Sequence, residues 1–261
     1  MQTSEILGKE NLREFFLAHG YAGPFPRLAS KNFKDLQAVI RKNHRTPLWM
    51  IRMLLEKANL LTPRPTDNRE AHIHSSLVFK ASTDDAILDR VSAILGPDLL
   101  IWMSQVICRW PGHGGADWHV DQINFDVEGV HVSVALSAMN RKNGCLQIIP
   151  GTHNYSVNLN EMARQGKCDL SDAKSMANLA DRIAPENAPH QVLSIELEPG
   201  QYFFTKGGLW HGVVANRTLG TRMAFISRFM RPEFSDKTDH PCVLVKGQDN
   251  YHLKGLYSPP M

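Results

Sequence analysis

Long apolar runs are missing from this sequence of 261 residues. No stretch approaches the roughly 18 apolar residues that a membrane-spanning helix needs. The first residues, Met1 to Glu5, have neither the basic region nor the apolar region of a secretory signal. We therefore expect a cytoplasmic protein that has no membrane partner.

An excess of one charge and closely spaced cysteines are also missing. The chain has 29 Lys and Arg against 26 Asp and Glu, for a net charge of +3, and these charges are interspersed. There is no basic stripe to neutralise a phosphate backbone, so we expect no nucleic-acid partner. Since no C-x-x-C spacing occurs, free core thiols are expected rather than a disulfide framework or a zinc site. They are Cys108, Cys145, Cys168 and Cys242.

What the chain does have is the composition of an ordinary globular protein. Hydrophobic residues make up 43% and charged residues 21%, and the length is sufficient to bury a sizeable core. We expect one domain, because barrels of this length usually stay single. Its expected parts are a largely helical support at 1–98, a strand-rich core at 99–230 with an insert at 154–191, and a tail at 231–261 that is mostly loop.

Residues 1–98 show mainly helical patterns. Apolar residues three and four apart predict a helix from Lys9 to Gly20, with Gly20 after its end. Ser30 is expected to cap a second helix that ends near Asn43 or His44, and a third helix is predicted over 49–61. Ser82 or Thr83 is expected to cap a further helix. The alternating segment 71–75 carries two histidines, His72 and His74, that we expect to line a substrate pocket or to be exposed.

From Leu99 onward the apolar period changes from helix to strand. Gly and Pro turns separate the short strands, and Asn143-Gly144 is typical of a hairpin turn. The predicted strands are 100–108, 118–125, 130–136, 145–149, 192–197, 202–204, 211–215 and 222–230. Short strands after an initial helical run predict a mainly β fold with flanking helices, namely a jelly-roll barrel.

One tetrapeptide, Trp118-His119-Val120-Asp121, supplies two metal-binding side chains at the right spacing. Residues i and i+2 of a strand point the same way, so His119 and Asp121 can converge on one cation. A His-x-Asp triplet occurs readily by chance, so its context matters. His211 in a Gly-flanked aromatic segment is the best third ligand, and Arg222 follows eleven residues later. Two His and one carboxylate are the ligands of non-haem Fe(II) oxygenases.

Several motifs together resemble the phytanoyl-CoA dioxygenase-like Fe(II)/2-oxoglutarate oxygenases, whose core is a double-stranded β-helix. The resemblance covers most of the chain and is nearest to the branch that contains carrier-dependent aliphatic halogenases. The residues that carry it are Gly20-Tyr21-Ala22-Gly23-Pro24-Phe25, Ile94-Leu95-Gly96-Pro97, Asp117-Trp118-His119, Asn143 to Gln147, Pro150-Gly151-Thr152, Arg222-Met223 and Ser227-Arg228-Phe229.

The resemblance implies a role for each of several residues. His119, Asp121 and His211 would hold Fe(II), and Arg222 would bind the distal carboxylate of 2-oxoglutarate, for which a planar guanidinium is well suited. Three polar residues could bind 2-oxoglutarate or simply be satisfied inside the barrel: His131, Ser133 and Gln105. Arg228 could contact the substrate or form a structural ion pair.

This chain departs from the halogenating relatives in two ways. They have a small residue where it has Asp121, which argues against halogenation. They also carry a longer insertion between the first ligand and the Asn-Gly-Cys-Leu turn, which leaves the substrate open.

The resemblance therefore implies an enzyme that uses Fe(II), 2-oxoglutarate and O2 to hydroxylate an unactivated carbon of a small biosynthetic intermediate, free or tethered to a carrier protein. Desaturation, epoxidation and cyclisation remain open within this class. Outside it, a non-catalytic metal-binding barrel would have no need of Arg222. A zinc hydrolase would lack an evident general acid or base near its ligands.

Overall fold

Two long strands, β2 (Leu99–Arg109) and β9 (Arg222–Met230), lie side by side in a six-stranded antiparallel sheet. The computed structural model describes residues 9–43, 69–121, 128–253 and 255–260, and also residues 51, 55, 58 and 60. The other strands of this major sheet are β1 (Tyr21–Phe25), β4 (Gly129–Ala135), β7 (Tyr202–Thr205) and β10 (Val243–Lys246). The strand order is β1-β7-β4-β9-β2-β10.

A second, four-stranded sheet completes the double-stranded β-helix. It contains β3 (Ala116–His119), β5 (Leu146–Ile148), β6 (Leu193–Ile195) and β8 (His211–Val213), in the order β3-β8-β5-β6. Apolar residues from both sheets form a shared buried cluster that includes Ala135, Ala224, Ile148 and Ile195. The inner faces of the two sheets therefore pack against each other, as in a jelly roll.

Helices cover the other face of the major sheet. They are α1 (Lys9–His19), α2 (Lys31–Asn43), α3 (Ala71–His74), α4 (Ser76–Ser82) and α5 (Asp85–Leu95). Their apolar stripes join outward-facing strand residues such as Val132 and Phe225 in the largest core cluster. None of the helices in the described ranges is long and apolar enough to cross a membrane.

Residues 154–191 add two helices outside the four-stranded sheet, α6 (Leu159–Arg164) and α7 (Ala173–Ile183). Met176, Leu179 and Ala180 of α7 are buried in a cluster with two tryptophans, Trp118 and Trp210. These tryptophans immediately precede His119 and His211 in the chain. The insert therefore packs on the backs of the two strands that carry the predicted histidine ligands.

Strand alternation was the most reliable sequence signal. The predicted jelly roll is confirmed, and β9 has the predicted bounds. The first two helices are also confirmed: Ser30 Oγ accepts a hydrogen bond from the backbone N–H of Phe33, and Gly20 ends α1 at φ +75°. All four cysteines are free, although only Cys145 and Cys242 are buried.

Three local predictions were wrong. Asp84, not Ser82 or Thr83, caps α5 by accepting from the N–H of Ala86 at 3.0 Å. The segment 71–75 is largely the short helix α3, because its alternating pattern is equally compatible with one helical turn. The tail contains β10, which pairs with β2, instead of being loop throughout. Most of the third predicted helix lies outside the described residues. The end of the predicted strand 118–125 lies entirely outside them.

His72 is fully buried instead of lining a pocket or being exposed. Its Nε2 donates to the carbonyl of Pro241 at 3.1 Å, and the hydroxyl of Ser104 donates to its Nδ1 at 3.2 Å. Burial lowers the pKa of His72 to about 4, from an ordinary value of 6.5. The imidazole therefore stays neutral and ties α3 to β2 and the tail.

We expect the neutral His72 to make stability depend on pH. Between pH 6.5 and pH 4, His72 binds a proton in the unfolded chain but not in the folded chain. The contribution of neutral His72 to the free energy of unfolding is therefore complete above pH 6.5 and is lost as the pH falls to 4. The shift corresponds to about 3 kcal/mol at most. Urea unfolding at pH 7 and pH 4 should show a smaller loss of stability in His72→Gln than in the native protein. Equal losses in the two proteins would contradict this prediction.

Candidate active site

The three predicted ligand residues meet at one end of the barrel. Ligand atoms of His119, Asp121 and His211 all lie within 4.8 Å of one another, and this is the one such group of three or more among the described residues. His119 ends β3 and His211 begins β8, where the two residues are paired in register. Asp121 follows β3 by two residues, so one strand end supplies two of the three side chains.

Both histidines are held in the tautomer that a metal needs. Nδ1 of His119 donates to the carbonyl of Asp117 at 2.7 Å, and Nδ1 of His211 donates to the carbonyl of Leu209 at 2.8 Å. In each ring the unprotonated nitrogen is therefore Nε2, and the ring centroids are 4.2 Å apart. Burial lowers the pKa of His211 to about 4, which keeps it neutral at physiological pH.

The Asp121 carboxylate is oriented by two residues of the major sheet. Its Oδ2 accepts from the Arg228 guanidinium at 2.7 Å and from Nδ1 of His131 at 3.2 Å. Burial alone would raise the pKa of Asp121, but the His131 hydrogen bond and the Arg228 charge hold it well below its usual range. The carboxylate is therefore ionised, and Oδ1 remains for a metal ion.

Arg222 lies on the same face of β9 as Arg228 but six residues earlier, with Ala224 and Ile226 between them. Its side chain is 6% exposed, its Nε has no hydrogen-bond partner, and no ion pair involves it among the described residues. Burial, with the charge of Arg109 nearby, lowers the pKa of Arg222 to about 10. Arg222 still carries its charge at neutral pH and needs an anion to compensate it.

Arg109 is a site residue that the sequence reasoning missed. It stands directly opposite Arg222 in the β2–β9 pair, although like charges in this position repel. Its guanidinium donates to the carbonyl of Gly114 at 2.8 Å, while its Nε is buried without a partner. The signal was available, because counting by two from Gln105 places Arg109 on the same inner face.

The register places every other predicted site residue on that inner face. Ser133 pairs with Ile226, and so does Gln105 from the opposite side. Neither contacts a ligand residue among the described part of the chain, so their role in binding 2-oxoglutarate stays a prediction. His131 and Arg228 contact Asp121 directly, which gives both a role in holding a ligand side chain.

A cavity of about 480 Å³ opens beside His119. Its lining among the described residues comes from Val120 and from the start of the insert, Ser156 to Asn160. Apart from His119, none of these side chains is ionisable. The cavity therefore suits an uncharged, partly apolar group next to the metal ligands.

We predict that the insert acts as a lid near α6 and as a fixed support near α7. Arg164, the last residue of α6, and Lys167, in the turn that follows it, are both exposed, whereas α7 is anchored in the tryptophan cluster. Limited trypsin digestion should cut first at these two residues, and a ligand in the cavity lined by 156–160 should slow the cut. Equal rates with and without ligand would show that the whole insert is a fixed surface element.

The fold and site together define a jelly-roll protein with a two-histidine, one-carboxylate centre, which is the class of the non-haem iron oxygenases. The chain belongs to the phytanoyl-CoA dioxygenase family, because the Phytanoyl-CoA dioxygenase (PhyH) family model matches residues 19–224. The resemblance drawn from the motifs is thereby confirmed.

Curated relatives carry dioxygenase names. Dioxygenase lolE1 of Epichloe uncinata is 22% identical over 160 residues, which are 59% of this chain and 56% of the relative. Dioxygenase FrzG of Cladobotryum sp is 30% identical over 167 residues, 57% of this chain and 48% of the relative. An ectoine dioxygenase of Sphingopyxis alaskensis is 25% identical over 185 residues, which are 62% of this chain and 58% of the relative. The chain thus spans about half the length of the curated relatives it matches.

Solved structures confirm the fold. A non-heme monooxygenase, ThoJ in complex with Ni, has a TM-score of 0.66 at 20% identity, and the alignment covers 96% of this chain and 88% of the ThoJ chain. EctD from S. alaskensis with 2-oxoglutarate and 5-hydroxyectoine has a TM-score of 0.62 at 20% identity, with coverage of 89% and 78%. CytC3 with Fe(II) and alpha-ketoglutarate has a TM-score of 0.61 at 19% identity, with coverage of 98% and 94%.

Proposed function

We propose that this protein is an Fe(II)- and 2-oxoglutarate-dependent dioxygenase that hydroxylates an unactivated carbon of a small biosynthetic intermediate. The observation that carries the proposal is the buried Arg222, which has no ion-pair partner among the described residues and lies on the same face of the barrel as the residues that orient Asp121. A metal-binding barrel without a cosubstrate would have no reason to bury that charge, since an unpaired buried charge is costly.

The residues present fit these cofactors. His119, Asp121 and His211 would hold Fe(II) through two Nε2 atoms and one carboxylate oxygen, leaving coordination positions for other ligands. Arg222 and Arg109 would together bind the distal carboxylate of 2-oxoglutarate. Ser133 and Gln105, on the same inner face, would be further hydrogen-bonding partners of the cosubstrate. When bound, Fe(II) and 2-oxoglutarate supply an oxidant from O2, with succinate and CO2 as co-products.

The protein's own contribution is orientation and exclusion of water. The carbonyls of Asp117 and Leu209 fix the two imidazoles, and Arg228 and His131 fix the carboxylate. These contacts hold the ligand atoms ready before a metal arrives, which lowers the reorganisation that binding requires. The apolar cluster between the sheets keeps bulk water away from the inner face.

The lining of the cavity supports a substrate whose reacting end is uncharged. The hydroxyl of Ser156 and the amide of Asn160 would orient it, and Leu159 and Val157 would contribute apolar surface. A charged or carrier-bound portion would have to extend away from His119. The intermediate can therefore be free or tethered to a carrier protein.

The test is a comparison of cell extracts incubated with and without purified enzyme, Fe(II), 2-oxoglutarate and O2. We expect succinate formation only with Fe(II), together with a compound whose mass rises by one oxygen. A mass loss of two hydrogens would instead indicate desaturation or cyclisation. Full activity after zinc replaces iron, or no succinate with any extract, would overturn the proposal.

A further inference from the structure

A chain of three buried or half-buried polar side chains runs through the insert and has no part in the proposed reaction. The hydroxyl of Tyr155 lies 2.6 Å from Nε2 of His190, and Nδ1 of His190 lies 2.8 Å from Oδ1 of Asp181. Asp181 also accepts the backbone N–H of His190 at 2.7 Å. The side chain of His190 is only 5% exposed.

These contacts fix the direction of each hydrogen bond. A carboxylate can only accept, so Nδ1 of His190 carries the proton that it donates to Asp181. In the neutral imidazole Nε2 is then the acceptor, and the Tyr155 hydroxyl donates to it. The phenolic proton of Tyr155 therefore already points at a base, and an adjacent carboxylate is in place to stabilise that base once it is protonated.

Tyr155 also touches the residue that precedes a metal ligand. Its ring meets the fully buried indole of Trp210 edge to face, with centroids 5.9 Å apart and an interplanar angle of 83°. Trp210 is followed directly by His211. The indole Nε1 of Trp210 is buried and has no hydrogen-bond partner among the described residues.

The two aromatic rings therefore respond differently to the loss of an electron. Since no described residue accepts its indole proton, an oxidised Trp210 stays a radical cation, which is a strong oxidant. Tyr155 can release its proton to His190 as it loses an electron, which makes its oxidation easier. An electron vacancy that reaches Trp210 should thus move on to Tyr155 and remain there.

We propose that Trp210, Tyr155 and His190 form a relay that carries oxidising equivalents away from the metal centre when O2 reacts without a substrate in place. This inference rests on the proposed function, which supplies the one-electron oxidant. One electron passes from Trp210 to the oxidised centre, and one electron passes from Tyr155 to Trp210. The phenolic proton moves to Nε2 of His190, leaving a neutral tyrosyl radical and an imidazolium paired with Asp181. A solution thiol or ascorbate then supplies one electron, and the proton held on Nε2 of His190 returns to the Tyr155 oxygen, which restores the starting state.

Other tyrosines lack this arrangement. Tyr202 donates to the carbonyl of Ala86 and accepts from Arg90, and neither can take up a phenolic proton. Tyr251 donates to Glu233 on the exposed surface. Among the described residues, Tyr155 is the tyrosine whose hydroxyl donates to an imidazole.

The test uses the full chain loaded with Fe(II) and 2-oxoglutarate and mixed with O2 in the absence of substrate. Samples frozen at successive times should show a tyrosyl radical by electron paramagnetic resonance, and its spectrum should narrow when the protein contains ring-deuterated tyrosine. Tyr155→Phe should lose most of this signal and accumulate more oxidised Trp210, measured by peptide mass spectrometry. Tyr257→Phe, on the exposed tail, is the matched control and should keep the signal.

A second variant separates a relay from a structural hydrogen bond. In His190→Gln the amide oxygen can still accept from Tyr155 but cannot hold its proton, so a merely structural chain would be preserved. The relay requires a smaller radical yield in this variant at unchanged melting temperature. An undiminished signal in Tyr155→Phe or in His190→Gln, or no tyrosyl radical in native protein that has formed succinate, would overturn the inference.

Succinate measured in the same samples shows whether the metal centre has reacted, so that failure of the proposed function is recognised separately. If no succinate forms, the relay is tested in metal-free protein by pulse radiolysis with an oxidant selective for indoles. Conversion of the tryptophan radical into a tyrosyl radical should then be slower in Tyr155→Phe and in His190→Gln than in Tyr257→Phe. Equal transfer in all three would overturn the relay without reference to iron.

Discussion

Replacing Arg222 with leucine is expected to weaken 2-oxoglutarate binding by about 30-fold to several-thousand-fold while the metal site remains intact. Truncating one partner of a buried charge pair costs about 2 to 5 kcal/mol, and no described carboxylate pairs with Arg222 to share that cost. The measurement is calorimetric titration of 2-oxoglutarate into anaerobic Fe(II)-loaded protein. Binding of Fe(II) itself, measured the same way, should change little, since Arg222 is not a ligand.

The matched control is Arg27→Leu, which removes the same charge from the surface. The side chain of Arg27 is 63% exposed and lies 3.7 Å from Glu198. Exposed pairs of this kind contribute little, so this variant should bind 2-oxoglutarate as the native protein does. An unchanged affinity in Arg222→Leu would show that another residue, with Arg109 the first candidate, anchors the cosubstrate.

The same variant should behave in the opposite way when no ligand is present. Arg222 and Arg109 face each other across β2 and β9 with no anion among the described residues to separate them. Leucine at 222 removes that repulsion and the cost of burying a charge. The melting temperature of ligand-free Arg222→Leu should therefore equal or exceed that of the native protein. The rise in melting temperature that 2-oxoglutarate causes in the native protein should be absent.

Strand alternation explains why most of this site could be predicted from the sequence. Once 222–230 and 130–136 are strands, residues two apart share a face, and the jelly roll brings that face to the barrel interior. His131 and Ser133 were placed on one face in this way, whereas Arg222 and Arg228 were assigned through the family resemblance. The triad needed one more step, the pairing of β3 with β8, which the sequence alone does not state but the family resemblance supplied.

The missing parts depend on contacts between distant segments. β10 has a short apolar run, and it is a strand only because the edge of β2 is available to pair with it. Arg109 was overlooked because its importance comes from Arg222 opposite, 113 residues later in the chain. The Tyr155–His190–Asp181 chain was invisible for the same reason, since its three members come from three parts of the insert.

The contact between Arg228 and Asp121 also shows how one residue can take a role that a pattern does not reveal. From the resemblance alone, Arg228 could contact a substrate or form a structural pair. The structure directs its guanidinium at Oδ2 of Asp121 at 2.7 Å, with the ring of Trp102 beneath it at 5.4 Å. The ion pair is therefore present, and any contact with substrate would have to be additional.

Asp121→Gly is expected to remove most of the proposed hydroxylation, because the substitution deletes one of the three proposed metal ligands and also leaves Arg228 and His131 without their anion. The buried His131 and the partly buried Arg228, which now share this carboxylate, would then lie side by side without it. Loss of one partner from such a group usually costs about 3 to 5 kcal/mol. Anaerobic Fe(II) titration and succinate release should both fall well below the native values. Asp117→Gly, which removes a nearby carboxylate but keeps the backbone carbonyl that fixes His119, is the matched control.

Reaction in the presence of a halide tests separately whether Asp121 is a metal ligand. In the halogenating relatives that the motifs resemble, a small residue stands at this position and chloride fills the metal site it leaves open. We propose that the Asp121 carboxylate, held by Arg228 and His131, takes that place here, which would leave a halide without this coordination position. The native protein in concentrated bromide should therefore give only oxygenated or desaturated product.

Asp121→Gly opens the position beside two cationic or hydrogen-bonding groups, although halogen transfer also requires the substrate carbon to face it. Mass spectrometry decides the matter, because bromine gives an isotope doublet. A brominated product from the native protein would mean that Asp121 does not bind the metal, whatever its distance from the two histidines.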